Sequence, residues 1–374
     1  MMLQIKSGNV SGTDLTQVVN ELAQTINLFG AKLVIFFTSK KYDIQQVGKI
    51  MKQKFPLVEV IGCTTAGEIS NRGFTEDSIS AMCIASDNFE VSTFVMKDIK
   101  TKAVLAKDGL LEAGRKLGFS SNSTNGFIIT LIDCIPKVEE RVLTTINHPF
   151  PNLQLVGASA ADSESAYLSV NGEVFQNAAI VTFVKTNLNF FIYKENIFVP
   201  TDTELDVTKA DMNNRIIWEL NGKPAVEEYA RVVGVSISDF LKNHKTVFFT
   251  NPLGRIFGSE VWIAAPFSVI DGKGIGCTAL VMEHTTVKLL KPIDVIAETK
   301  KTVATIEQKI PNCKGMILFN CLLRYMQFKQ ENLCSQLINE YNRCGQICGF
   351  NTYGEQLNKF NINQTLTLVA FGEK

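Results

Sequence analysis

Three stretches of this chain share one layout, and internal repetition constrains a fold more than any single motif. Residues 33–39 (LVIFFTS) lead through a helix-like segment to residues 58–70 (VEVIGCTTAGEIS). Residues 127–133 (FIITLID) lead in the same way to residues 153–163 (LQLVGASAADS), and residues 316–322 (MILFNCL) to residues 346–356 (QICGFNTYGEQ). The intervals from Leu33 to Gly62, Phe127 to Gly157 and Met316 to Gly349 are 29, 30 and 33 residues. A further apolar run follows each Gly-containing segment: SISAMCIA, NAAIVTFV and TLTLVAFG. Apolar run, crossover and apolar run describe a strand–helix–strand unit, and ligands of such sheets collect beyond the strand ends. The pattern predicts an α/β protein of two domains built from duplicated strand–helix–strand units with mixed sheets.

The remaining elements fit that plan. Residues 13–29 have helical spacing of Leu15, Val18, Val19, Leu22 and Ile26, with Ser11 or Thr13 as the expected cap. Residues 104–117 repeat that helix before the second unit. Residues 187–197 (NLNFFIYKENI) are the expected boundary, giving domains 1–190 and 191–374. In the second half, Pro224 suits the first residue of a helix, and residues 246–255 (TVFFTNPLGR), 261–270, 275–282 and 286–293 are strand-like. Gly157 and Gly349 are 192 residues apart, about twice the 95 between Gly62 and Gly157, and Gly254 near the midpoint suggests a degenerate fourth unit.

Gly62, Gly157 and Gly349 are expected just after a strand, where glycine permits a positive φ or close approach to a ligand. Thr64, Thr65, Ser159 and Thr352 place hydroxyls beside them. The alternative is tight turns whose hydroxyls bond their own backbone. Cys321, Arg324 and Tyr325 stand at another strand end, where an arginine suits a ligand carboxylate; a salt bridge from Arg324 to Glu355 is the structural alternative. Tyr353 and Glu355 would complete that site, and Arg255 is a weaker candidate. Asp162 either caps backbone or meets a ligand amine.

Composition excludes several classes. The 37 basic and 37 acidic residues leave no net field to draw nucleic acid or an anionic membrane. The first residues lack a signal-peptide core, and no stretch nears the roughly 20 apolar residues of a membrane span. The 9 cysteines, several inside apolar runs, read as reduced thiols of a cytoplasmic protein. Cys344 and Cys348 are spaced for a metal site that no second pair completes.

GCTTAGEIS, GASAADS with NGEVFQNAAIVTFV, NPLGR, and FNCLLRY followed by GFNTYGEQ resemble the FIST proteins over nearly the whole chain. The closing GF-x-TYGE followed by N-x-T is the most specific piece. The resemblance implies a FIST N-terminal domain, a FIST C-terminal domain and a sensory module that binds a small ligand and feeds bacterial signal transduction. Stand-alone members of this length include the NosP type, which bind haem, sense nitric oxide and regulate a partner histidine kinase. The third motif departs from the common FSC-x-GR but keeps Cys321 and Arg324. On this reading a non-covalent haem b would take its iron ligand from His284, at a strand edge, ahead of His244 and His148, with Arg324 free for a propionate.

A small metabolite such as an amino acid is the alternative ligand. Catalysis is not expected: GASAADS has Ala161 where a nucleophile elbow has glycine, and Cys63 has no histidine in a matching motif. A hydrolase using Ser159 or Cys63 is the third reading. The paired carboxylates Glu139–Glu140 and Glu227–Glu228 read as solvated helix faces. Self-association is compatible with the sequence.

Overall fold

The structure, a computed structural model, describes residues 1–160, 162, 164–258 and 260–374; Ala161 and Ser163 of the second motif lie outside the described residues. The first repeat runs β1 (Gln4–Val10), α1 (Leu15–Ile26), β2 (Ala31–Ser39), α2 (Ile44–Lys54), β3 (Glu59–Thr65), a hairpin of β4 (Glu68–Ser70) and β5 (Gly73–Thr75), and β6 (Ile79–Ala85). Asp14 and not Ser11 or Thr13 caps α1, its carboxylate accepting from the Gln17 amide at 3.0 Å, and Asp43 caps α2 in the same way.

The second repeat has the same order: β7 (Phe89–Lys97), α3 (Ile99–Lys102) and α4 (Lys107–Lys116), β8 (Gly126–Asp133), α5 (Glu139–Asn147), β9 (Gln154–Ala160), the hairpin β10 (Leu168–Val170) and β11 (Glu173–Phe175), and β12 (Ala178–Thr186). The third begins at β13 (Asn189–Asn196) and is then interrupted by about a hundred residues. They carry β14 (Phe198–Asp211), β15 (Ile216–Leu220), β16 (Lys223–Pro224), α6 (Ala225–Val233), α7 (Ile237–Thr250), β17 (Leu253–Phe257), β18 (Glu260–Ala264), β19 (Pro266–Ile270), β20 (Gly274–Cys277) and β21 (Thr285–Pro292). The repeat resumes with α8 (Val295–Lys309), β22 (Cys313–Cys321), α9 (Leu322–Gln330), α10 (Cys334–Tyr341), β23 (Gln346–Thr352), the hairpin β24 (Glu355–Leu357) and β25 (Phe360–Ile362), and β26 (Thr365–Gly372).

Two compact units result. One comprises Met1–Glu195, Thr299–Asn361 and Leu366–Lys374, the other Asn196–Glu298 with Ile362–Thr365. The expected halves 1–190 and 191–374 cut the chain in sequence, whereas the third repeat belongs in space with the first two. In the second unit all the described strand pairs are antiparallel, and Gly254 lies within β17, so no fourth strand–helix–strand unit exists there. Residues 246–250, expected as strand, are the end of α7. Glu139 and Glu228, expected on solvated faces, are buried; Glu228 receives Arg231 through two bonds of 2.7 and 2.8 Å.

The first unit is held by an exchange of hairpins. Each repeat makes four strands of a six-stranded sheet, in the orders β1-β6-β2-β3, β7-β12-β8-β9 and β13-β26-β22-β23. The last position pair comes from elsewhere: β10–β11 of the second repeat extend the first sheet, β24–β25 of the third extend the second, and β4–β5 of the first extend the third. Every repeat thus lends its hairpin to one neighbour and receives one from the other. An asparagine at each hairpin tip fixes the docking. The side-chain oxygens of Asn71, Asn171 and Asn358 accept from the amides of Ile347, Val60 and Leu155, at 2.9, 3.1 and 3.0 Å. Each amide belongs to the second residue of the receiving strand.

The inner faces of the three sheets share one core. Phe37 of the first repeat meets Phe319 and Phe350 of the third at ring-centroid distances of 6.3 and 4.6 Å, and Phe127 of the second meets Phe371 at 5.9 Å. Each such ring, fully buried, contributes about 1.5–3 kcal/mol. Outer faces are covered by helices: α1 and α2 over the first sheet, α4 and α5 over the second.

The repeat glycines are not turn residues. Gly62, Gly157 and Gly349 are each the fourth residue of β3, β9 and β23, and none has a positive φ. A Cβ would lie 2.6, 2.1 and 2.2 Å from the carbonyl oxygens of Phe36, Thr130 and Leu318, their register partners on the parallel neighbour. They permit close strand approach, not contact with a ligand. Gly157→Ala is expected to lower stability by about 1–3 kcal/mol, as overpacking does, seen as a lower urea midpoint at unchanged slope.

Glu195, last but one in β13, and Thr299 of α8 flank the interruption, and a buried cluster joins them. Arg324 donates to the Glu195 carboxylate and, at 3.0 Å, to its main-chain oxygen; Tyr341 donates to both carboxylate oxygens and Thr299 to one. Arg324 therefore pairs with Glu195 and not with Glu355, and it is committed inside the protein instead of facing a ligand. Removing one partner of a buried pair costs about 3–5 kcal/mol. Arg324→Met is expected to lose that much in a denaturant titration.

Candidate functional site

The C-terminal ends of the repeat strands converge on one cavity of about 250 Å³ in the first unit. Ser39 and Lys40 enter from the end of β2, and Thr65, Ala66 and Gly67 from the end of β3. Glu76 and Asp77 come from the β5–β6 turn, Asp162 follows β9, and Tyr353 follows β23. All three repeats contribute. The turns are locked by backbone bonds around the ring: Ala66 to Asn351 at 3.3 Å, Asn351 to Gly67 at 2.8 Å, Tyr353 to Ser159 at 3.2 Å, and Thr64 to Tyr167 at 3.0 Å. Gly67, at φ 122°, takes a backbone conformation that side chains oppose.

Carboxylates dominate the lining, with Glu76, Asp77 and Asp162 against Lys40. Glu76 accepts from Lys329 and from the Tyr325 hydroxyl, both at 2.8 Å, and these bonds hold its pKa below the usual carboxylate value. Asp162 accepts from the Ser165 hydroxyl at 2.7 Å. Asp77 sits at φ 55° in the left-handed region, and among the described residues its exposed carboxylate has no hydrogen-bond or ion-pair partner. The cavity has a negative lining with one carboxylate to spare.

Of the residues expected from sequence, Thr65 and Tyr353 line this cavity, as does Asp162. Thr64, Ser159, Glu355 and Cys321 are buried close by in sequence but serve the fold. The Thr64 hydroxyl accepts from the Tyr167 amide at 3.0 Å, the Ser159 hydroxyl accepts from the Gln356 side chain at 2.9 Å, and Glu355 accepts from the Thr352 hydroxyl at 2.5 Å. Cys321 ends β22 at the N-terminus of α9. Arg255 lies in β17 of the second unit, its guanidinium 5.8 Å from the centre of the Phe257 ring.

The histidines are scattered. His148 is exposed at the end of α5, and His284 is exposed in the turn before β21, its amide bonded to Val207 and its φ at 60°. His244 is half-buried on α7 beside the kink at Asn243, with Nδ1 3.1 Å from the Leu241 carbonyl. None of the three lines a described cavity. A haem needs an apolar slot and an axial ligand facing it, and His148 and His284 point to exposed surface. No group of three or more metal-ligating side chains exists among the described residues, and Cys344 hydrogen-bonds Cys313 instead of pairing with Cys348. Burial, with smaller effects from Glu68 and Cys348, keeps the Cys63 thiol far above its ordinary pKa and so protonated.

One residue that sequence reading passed over stands directly behind the cavity wall. Glu68, fully buried at the start of β4, accepts from the Thr65 hydroxyl at 2.5 Å and from the Ser78 hydroxyl at 2.6 Å and amide at 3.3 Å. Burial raises its pKa from 4.5 to about 7 against the pull of those bonds. The T-x-G-E spacing shared by residues 65–68 and 352–355 was the available signal. In the folded state Glu68 keeps its proton over a range where the unfolded chain has lost it. Its contribution to stability is therefore complete below pH 4.5 and is lost as pH rises to about 7. That loss amounts to roughly 3 kcal/mol. Glu68→Gln is expected to flatten this slope in urea titrations between the two values.

No helix among the described residues is long and apolar enough to cross a membrane, which says nothing of a β-barrel. Family models match in tandem: the FIST N domain over residues 32–223 and the FIST C domain over residues 225–358. An uncharacterised protein of Methanocaldococcus jannaschii is 24% identical over 92% of this chain and 74% of its own length. A crystal structure of cyanuric acid hydrolase from A. caulinodans superposes with a TM-score of 0.30 at 6% identity, over 50% of this chain and 71% of that one. A match that weak carries no argument about fold or activity. The tandem domains, which cover more than half of the sequence, are decisive: the chain belongs to the FIST family of ligand-binding sensory domains in signal transduction.

Proposed function

We propose that this protein senses a small ammonium-bearing metabolite of amino-acid size in the cavity where the three repeats meet, and passes the signal by contact to a separate histidine kinase. The observation that carries the ligand class is the unpartnered carboxylate of Asp77 in a cavity that also holds Glu76 and Asp162. A cation gains from such a lining and an anion is repelled by it. Tyr353 lines the same cavity, and an aromatic ring beside a cation adds to its binding. At about 250 Å³ the space lies below the range typical of drug-sized ligands. Haem and nitric oxide are not part of this proposal, because no histidine faces a described cavity. Nor is catalysis, since the Cys63 thiol is buried and protonated and the Ser159 hydroxyl is held by an amide, which is no base.

A thermal-shift panel of amino acids, polyamines and their deaminated analogues tests this. Ammonium-bearing compounds are expected to stabilise the protein, by about 2.7 kcal/mol at a hundredfold excess over Kd, and the deaminated analogues are not. Asp77→Asn should abolish the shift without lowering the unliganded midpoint, whereas Tyr353→Ala removes a ring that packs against the core and should weaken the shift and lower the midpoint as well. Stabilisation by carboxylates alone would overturn the ligand class. A saturable haemin titration with a sharp Soret band, lost on replacing one histidine, would restore the haem reading.

A further inference from the structure

Glu68 belongs to no wall of the cavity, yet it holds two of them. Thr65 donates to one carboxylate oxygen and Ser78 to the other, so a single side chain staples the strand end that carries Thr65, Ala66 and Gly67 to the turn that carries Glu76 and Asp77. Behind it the Asn9 side chain donates to the Thr75 and Ser78 hydroxyls at 3.1 and 2.9 Å, and those hydroxyls lie 2.8 Å apart. Hydroxyl and amide donors suit a carboxylate better than a carboxylic acid, whose own proton would compete for the same space.

We propose that Glu68 is a specificity-determining residue of this site, and that an ammonium group entering the cavity expels the proton from Glu68 as it binds. The inference rests on the cavity being the ligand site. A positive charge a few ångströms beyond Thr65 and Asp77 favours the ionised carboxylate, and the ionised carboxylate in turn favours the cation and the stapled wall. Neutral or anionic compounds gain nothing from this exchange. Below neutral pH the free site holds the proton and the filled site does not, and near pH 7 about half of the free sites do, so binding releases a proton from that fraction.

The charged and titratable groups around Glu68 support that assignment. Burial is the main reason that its pKa is raised and Asp77, beside the cavity, adds a smaller push; an ammonium opposes both, by neutralising Asp77 and by its own charge. Cys63 on β3 and Cys348 on β23 face it as buried, protonated thiols and carry no charge. Tyr325 on α9 faces it as a neutral phenol whose proton is bonded to Glu76, itself paired with Lys329. Glu68 is thus the group in this cluster poised to change charge near neutrality, with a pKa of about 7.

Carboxyl ¹³C NMR of the whole chain, with the Glu68 resonance assigned by its absence in Glu68→Gln, tests the inference. The probe is methylammonium chloride against equal concentrations of sodium chloride. The expected result is a Glu68 midpoint near neutrality that methylammonium lowers and sodium chloride does not. The apparent affinity for methylammonium should rise about tenfold from pH 6 to pH 8, following the ionised fraction, and become independent of pH in Glu68→Gln. Should that variant fold poorly, Thr65→Val removes one donor to the carboxylate and is expected to raise the Glu68 midpoint. A midpoint at the ordinary glutamate value overturns the proposal. So does a neutral midpoint that methylammonium leaves in place while it moves the Asp77 resonance; the cavity reading then survives. If neither resonance moves, the cavity reading fails and takes this inference with it.

Discussion

The exchange of hairpins is the constraint on which the first unit depends. The four strands of each repeat end at β3, β9 or β23, whose outer edge would by itself present unpaired amides and carbonyls. Open edges are sites of unwanted pairing, and here each is covered by a hairpin from another repeat. Because the donation runs in a circle, each repeat depends on one neighbour to extend its sheet and on the other to hold its own hairpin. The asparagine at each tip makes the covering specific, since its side-chain oxygen takes the amide of one chosen residue on the receiving strand. The glycine two residues further along that strand lets it lie close against its parallel neighbour. Register, docking and strand spacing are set by three small residues per repeat. The cluster of Glu195, Thr299, Arg324 and Tyr341 then fixes the two ends of the interruption within the third repeat, so that β13 and α8 stay in the places that β1 and α1 hold in the first.

The same circle builds the cavity. When three repeats share a core, their strand ends must meet, and turns that would each lie alone at the end of a separate sheet become neighbours. Repetition supplies the shape, while divergence supplies the chemistry. The first and third repeats both carry a threonine bonded to a buried glutamate three residues later, Thr65 with Glu68 and Thr352 with Glu355. The second has Ala160 at that place and contributes Asp162 to the lining instead. The repeats are equivalent in backbone, and the carboxylates that give the cavity its sign are not.

How much of this could be read from the sequence follows from the range of the interactions. The repeat period and most of the strands and helices were legible, because each is written in local spacing. The same spacing put Thr65 and Tyr353 at strand ends, where both line the cavity. The glycines were recognised as necessary but assigned the wrong neighbour: close approach to a ligand and close approach to the adjacent strand look alike in a sequence, and only the register 62 to 36, 157 to 130 and 349 to 318 separates them. The hairpin exchange was invisible, since β4 and β23 are nearly three hundred residues apart. Arg324 was seen as available because its partner Glu195 is 129 residues away and its sequence neighbours offered only Glu355. The histidines drew attention through their chemistry alone, and nothing local revealed that two of them are exposed.

A buried carboxylate held by three donors is an arrangement that folding alone does not favour. An asparagine or serine at position 68 could bond Thr65 and Ser78 without the desolvation that drives the pKa of Glu68 up to about 7. The corresponding glutamate of the third repeat stands behind a turn whose tyrosine, Tyr353, reaches the same cavity, so both T-x-G-E turns place an acid in the layer beneath the lining. In a sensor this cost has a use. A site that binds its ligand must change something that its surroundings can register, and a rigid ring of interlocked turns has little room to move. Charge can change where backbone cannot. The ionisation of one buried group alters the strength of its bonds to two separate chain segments, and it carries the state of the cavity into the hairpin that the first repeat has lent to the third.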